Sequence, residues 1–261
     1  MNSINNIEVI RKHMADGHVA IGTGVTLADP AVSELNAEVG YDFTWIDTEH
    51  NPLDLSVVDH HIMAHRGTST APFVRVLQNE VNTIKPIVDM HPAGIIVPQV
   101  STRAEAEAAV RACRYPPVGV RGYGPRRGIR YGKIPQLEYL EQVKNDPILV
   151  IQIEHIDAVN NIDDLLDVPG IDVYCFGPND LSGSLNKLGQ HDDPEVVAAI
   201  ETAAQKICAA GRTLGASVGY SDESFERWMK LGVKWINAGA DCGNLFNINQ
   251  RILQAARSRA T

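Results

Sequence analysis

The 261-residue chain lacks any apolar run approaching the ~20 residues that a membrane-spanning helix requires. Its opening segment, MNSINNIEVIRKHMADG, also lacks the basic stretch and apolar core of a secretory leader, so a cytoplasmic protein is expected. Positive charge is in deficit. The net charge of −9 argues against nucleic acid or an anionic membrane as the main partner. None of the four cysteines (Cys113, Cys175, Cys208, Cys242) forms a C-x-x-C pair. That spacing excludes a disulfide framework and a structural zinc site, leaving reduced and mostly buried thiols. No G-x-G-x-x-G follows an early strand, which weighs against a dinucleotide fold. The segment DHHIMAHR places His61 and His65 four apart, but without an H-E-x-x-H glutamate it reads as a solvated helix face.

What is present is apolar and periodic, with hydrophobic residues at 44% of the chain. Short β-branched runs occupy 19–25, 43–50, 72–76, 94–100, 148–154, 171–180, 214–219 and 234–241. Helical patterns intervene, such as 102–113, 194–211 and 222–232, the last with Phe225, Trp228, Met229 and Leu231 on one face. Ser101 or Thr102 reads as an N-cap, and Gly211 and Gly232 stand where helices end. Continuous apolar strands alternating with helices mean parallel strands covered on the outside. Eight such units in a single domain spanning 1–261 close most simply into a (β/α)8 TIM barrel, a fold that commonly takes about 250 residues. The irregular segment 115–136, YPPVGVRGYGPRRGIRYGKIPQ, is rich in glycine, proline and arginine and reads as a long, functional loop.

Polar residues interrupt these runs near their C-terminal ends, where barrel enzymes place their chemistry. They are Asp47, Glu49 and His50, then Arg75, Gln99, Gln152 with Glu154, and Asn179 with Asp180. Glu154 and Asp180 offer hard oxygen ligands for a divalent cation, with positions left for substrate and water. Arg75 can hold a developing oxyanion, and His50 has a suitable intrinsic pKa for proton transfer. Cation, arginine and base around one cavity suit enolate chemistry beside a carbonyl. Glu49 has no assigned role.

The segments WIDTEH, FVRV, IIVPQV, RYPPVGVRG, IQIEH and FGPNDLS resemble, in order and spacing, the HpcH/HpaI family of metal-dependent class II pyruvate aldolases. The likeness extends over nearly the whole chain. It implies that Glu154 and Asp180 bind Mg2+, Mn2+ or Co2+, with Asp47 supporting the waters of that ion. It further implies that Arg75 stabilises the enolate oxygen, that Gln152 holds pyruvate, and that backbone N–H groups around Asn179 and Asp180 take its carboxylate. His50 and Asp89 would form the proton-transferring dyad. Family members assemble as trimers or hexamers in which the last helix exchanges between subunits, making GNLFNINQRILQAAR a candidate interface.

The sequence departs from the pattern at three places: Thr48 replaces a glycine, Ser217 replaces a leucine presented to the aldehyde, and Pro125-Arg126-Arg127 adds charge to the loop. Ser217 and Arg127 are therefore candidates for the aldehyde end of the substrate, Arg126 or Arg127 meeting a carboxylate or phosphate there. The expected reaction is reversible cleavage of a 4-hydroxy-2-oxo acid into pyruvate, or hydroxypyruvate, and an aldehyde. An acyl-CoA lyase of the citramalyl or malyl type and a non-catalytic oxo-acid-binding barrel are the alternatives.

Overall fold

The computed structural model describes residues 4–260. Eight parallel strands pair in chain order and close on themselves: β1 (Ala20–Val25), β2 (Phe43–Asp47), β3 (Ala71–Arg75), β4 (Gly94–Val97), β5 (Ile148–Ile153), β6 (Val173–Phe176), β7 (Thr213–Val218) and β8 (Trp235–Ala240). The expected (β/α)8 barrel is the observed architecture. Among the described residues, no helix is long and apolar enough to cross a membrane.

Side chains alternate between the two faces of a strand, so parity decides which residues fill the lumen. Phe43, Trp45, Phe73, Val150, Val173, Cys175 and Trp235 belong to the inner cluster. Phe43 stacks on Trp235 with centroids 4.1 Å apart, and Phe73 lies 5.6 Å from the same indole. These rings demand small neighbours. A Cβ on Gly22 would stand 2.3 Å from the Phe43 ring, and one on Gly94 would stand 2.1 Å from that of Phe73. Helix α1 (Ile7–Ala15) closes the N-terminal end of the barrel with Ile7 and Ile10. Asn6, just before it, donates to the carbonyls of His65 (3.1 Å) and Thr70 (2.7 Å).

The outward set, including Ile46, Val74, Ile95 and Ile151, packs under the helices. These are α2 (Ala31–Val39), α3 (Leu55–Ala64), α4 (Val81–Asp89), α5 (Arg103–Cys113), α6 (Gln136–Gln142), α7 (Ile156–Asn160), α8 (Ile162–Leu166), α9 (Pro178–Ser184), α10 (Pro194–Ala209) and α11 (Asp222–Lys230). Thr102 and Glu105 form a reciprocal capping box at α5. Gly211 (φ +66°) and Gly232 (φ +91°) follow α10 and α11 in the left-handed conformation that ends a helix.

Three expectations change. Strand β2 stops at Asp47 and β6 at Phe176, so Glu49 and His50 stand on a turn while Asn179 and Asp180 open α9. His61 and His65 are fully buried rather than solvated. His61 Nδ1 lies 2.8 Å from Ser33 Oγ, and His65 bridges Thr44 Oγ1 (2.9 Å) and the His61 carbonyl (2.7 Å). Of the cysteines, Cys113 and Cys175 are buried, whereas Cys208 and Cys242 are exposed. The last helix, α12 (Asp241–Ala260), buries none of its residues and exposes Leu245, Phe246, Ile252 and Leu253 by half or more.

Candidate active site

Parity that fills the lower lumen with rings brings charge to its mouth. Asp47 follows Trp45 by two positions on β2, Arg75 follows Phe73 on β3, and Gln152 follows Val150 on β5. Asp47 and Arg75 are register partners. The Arg75 guanidinium donates from Nε to Asp47 Oδ1 and from Nη2 to Oδ2, both at 2.8 Å, a planar two-point pairing. Its Nη1 lies 2.8 Å from Glu49 Oε2, a contact that completes no aligned hydrogen bond. The guanidinium also lies 5.2 Å from the Trp45 ring centroid. Glu49 thus acquires its place: it is the second carboxylate on Arg75.

The electrostatics follow. Burial alone would raise the Asp47 carboxyl, but hydrogen bonding and charge from Arg75 outweigh it and hold the group below its ordinary value. Glu49 is pushed up, chiefly by burial, against the pull of Arg75 and His50. For Arg75 itself, desolvation is overcome by Asp47, Glu49 and Glu154, and its pKa rises.

Beyond Arg75, the Gln152 amide donates to Glu154 Oε1 at 2.5 Å, and the Gln99 backbone N–H donates to Oε2 at 3.1 Å. Gln99 adopts φ +53°, a conformation unusual for a residue with a Cβ, and so aims its N–H at the carboxylate. Burial raises the Glu154 carboxyl to about 8, and the charges of Glu49 and Asp180 add to the rise. Space for this carboxylate is made by Gly177, where a Cβ would stand 2.3 Å from Glu154 Oε1.

Among the described residues, no three His, Cys, Asp or Glu side chains gather into a ready-made metal cluster. The donor set still fits a divalent cation. Asp47, Glu49, Glu154 and Asp180 act on one another across a mouth that also holds the Arg75 guanidinium, with Asp47 and Glu154 buried, Glu49 half-buried and Asp180 exposed. A cation between Glu154 and Asp180 would offset that negative charge, and hard carboxylate oxygens are the ligands Mg2+ or Mn2+ takes.

The other expected residues divide into two groups. Ser217 on β7 accepts a hydrogen bond from Asn237 Nδ2 on β8 at 3.0 Å, both in the lumen-facing set. Asn179, in the first turn of α9, is exposed and lies 2.5 Å from His191 Nε2. His50, on the turn after β2, is largely exposed, its Nε2 3.7 Å from Glu49 Oε2. Asp89 and Arg127 stand elsewhere. Helix α4 runs back from the mouth, so Asp89 at its end lies just before β4 begins, at the opposite end of the barrel. There it pairs with Arg121 at 3.7 Å and packs against Gly124, within the basic loop. That loop joins α5 to α6 and β5, so it too belongs to the N-terminal end; Arg127 is buried there and donates to the Ile62 carbonyl at 3.3 Å. Within one chain, therefore, no His50–Asp89 pair forms and Arg127 does not reach the mouth. Sequence reasoning overlooked Asn237 and left Glu49 without a role, and Gly177 entered only as part of the FGPNDLS segment, with no role assigned, because its signal is the absence of a side chain.

Similarity to known proteins accords with this geometry. The profile of the HpcH/HpaI aldolase/citrate lyase family matches residues 21–257. A hydroxypyruvate/pyruvate aldolase of Pseudomonas aeruginosa is 35% identical, covering 90% of this chain and 88% of its own. A 4-hydroxy-2-oxo-heptane-1,7-dioate aldolase of Shigella sonnei is 35% identical, with 94% and 93% coverage. The solved structure of an HpcH/HpaI aldolase/citrate lyase family protein from Burkholderia cenocepacia superposes with a TM-score of 0.87, at 26% identity and 95% and 98% coverage. With a closed barrel, a carboxylate-rich mouth and a profile spanning nearly its full length, the chain belongs to the HpcH/HpaI aldolase/citrate lyase family.

Proposed function

We propose that the chain is a divalent-metal-dependent carbon–carbon lyase that cleaves 4-hydroxy-2-oxo acids reversibly into pyruvate, or hydroxypyruvate, and an aldehyde. The observation that carries this reading is the lumen-facing row of Arg75, Gln152 and Glu154 beside Asp180, a positive group next to a carboxylate pair. Aldolase names among relatives about 35% identical over most of the chain support it. The cation would be Mg2+, Mn2+ or Co2+, held by Glu154 and Asp180 with Asp47 behind, and when bound it would polarise the 2-oxo group as a Lewis acid. The protein would act in the cytoplasm as a trimer or hexamer.

The chain's own residues then do the following. Gln152 and the backbone N–H groups at the start of α9 orient the oxo acid and its carboxylate. His50 takes the C4 hydroxyl proton, the C3–C4 bond breaks, and the aldehyde leaves. The electron pair left at C3 is delocalised toward the 2-oxo oxygen, where Arg75 supplies preorganised positive charge. Protonation at C3 completes pyruvate. Glu49 and Asp47 keep Arg75 charged and fixed. Asp89 joins this scheme as the partner of His50 only when a neighbouring copy contributes it, which suits the proposed oligomer. Arg75→Ala is expected to lower kcat for retro-aldol cleavage by roughly 10²–10³-fold, the usual scale for one oxyanion donor. Pyruvate release measured on a folded variant at near-wild-type turnover would overturn the role.

A further inference from the structure

The turn from Thr48 to Asn51 leads away from the end of β2, and Glu49 and His50 stand in its middle. The two outer residues are tied down. Thr48 donates twice to the carbonyl of Arg75, from its N–H at 3.1 Å and from Oγ1 at 2.6 Å. A glycine at this position would keep the first bond and lose the second. Asn51 Nδ2 donates to Asp47 Oδ2 at 2.6 Å, and Pro52 after it steers the Asn51 backbone toward extended conformations.

These bonds converge on the ion pair at the mouth. Asp47 Oδ1 accepts from Arg75 Nε at 2.8 Å and from the Glu49 N–H at 3.1 Å. Asp47 Oδ2 accepts from Arg75 Nη2 at 2.8 Å and from Asn51. Two donors on each oxygen fill the acceptor capacity of this carboxylate and fix its plane. Glu49 is held differently. Its Oε2 is buried, 2.8 Å from Arg75 Nη1 and 3.7 Å from His50 Nε2, and completes no aligned hydrogen bond. Charge draws this oxygen to Arg75, but its direction is set by the path of the backbone through the turn.

We infer that Thr48 and Asn51 are positioning residues, which clamp both ends of the turn and so set Glu49 against Arg75 and hold His50 at the mouth. They act through those groups rather than on the oxo acid. The inference rests on the aldolase reading above, in which Arg75 faces the enolate oxygen and His50 moves the proton. A displacement of about 1 Å in such a group can slow a reaction roughly 10²-fold.

Proton–deuterium exchange at the pyruvate methyl group, followed by NMR with Mn2+ present, reads enolate formation without an aldehyde. In Thr48→Val/Asn51→Ala the exchange rate at saturating pyruvate should fall by about 10–100-fold. The pyruvate concentration for half-maximal rate should stay as in the wild type, and so should the Mn2+ affinity by isothermal titration calorimetry. Thr48→Ser, which keeps the hydroxyl, should regain the rate that Thr48→Val loses. If the double variant unfolds, the comparison of Thr48→Val with Thr48→Ser still decides. Exchange at the wild-type rate in the variants would overturn the inference, as would a slow Thr48→Ser or a loss accounted for by weaker pyruvate or Mn2+ binding. Any of these on an active wild type removes the positioning roles alone. A wild type that exchanges with none of Mg2+, Mn2+ and Co2+ removes the aldolase reading and the inference with it.

Discussion

Gly177 shows how much of the site depends on single atoms. Its missing Cβ leaves the room that Glu154 Oε1 occupies, 2.3 Å from where that carbon would stand. Gly177→Ala should displace the carboxylate and weaken Mn2+ binding by about 10–100-fold, the range seen when the support of a metal ligand is lost. Isothermal titration calorimetry reads this directly, and unchanged affinity would mean that Glu154 is not a ligand. Arg75, Gln152 and Asp47 were legible in the sequence because each breaks an apolar strand run at a position whose parity faces the lumen. Glu49 was not, because it lies beyond the end of β2, where no periodicity constrains the side chain's direction. Its place came only from the geometry of the Arg75 ion pair.

At the scale of elements, helix direction decided what the sequence could not. The strands and their order were readable from β-branched runs, and helix ends from Thr102, Gly211 and Gly232. Yet Asp89 and the basic loop follow outer helices that run back down the barrel, which carries them to the end away from His50. A linear motif records which residues occur, not which end of the barrel receives them. Helix α3 offered a similar trap: His61 within it and His65 at its C-terminal cap face inward, His65 bridging strand β2 to the helix. Burial lowers the His65 imidazole from 6.5 to about 4 in the folded protein. As pH falls, the unfolded chain therefore binds this proton first. The stabilisation from neutral His65 is full above the unfolded value and is lost progressively between 6.5 and about 4, amounting to about 3 kcal/mol. Urea unfolding of wild type and His65→Gln should thus show a stability difference that narrows across this interval. A difference that stays constant with pH would remove His65 as the cause.

For the whole molecule, the central question is how Asp89, which pairs with Arg121 at the far end of the barrel, could serve the His50 role proposed for the mouth. The exposed apolar side chains of α12, Leu245, Phe246, Ile252 and Leu253, suit the subunit exchange expected of this helix. An assembly that sets the Asp89 end of one copy against the mouth of another would restore the His50–Asp89 dyad. His50→Ala and Asp89→Ala chains, each poorly active alone, should then regain cleavage activity when assembled together, since some sites would hold both groups intact. Mixed assemblies no better than the average of the parents would place the dyad out of the mechanism. The claim beneath all of this is that the mouth forms the enolate of pyruvate with the help of a divalent cation. Proton–deuterium exchange at the pyruvate methyl group, followed by NMR with chelator and then with Mg2+, Mn2+ or Co2+ restored, tests it most directly. Exchange that stops with chelator and returns with metal is the predicted result; no exchange with any of the three metals would contradict the account.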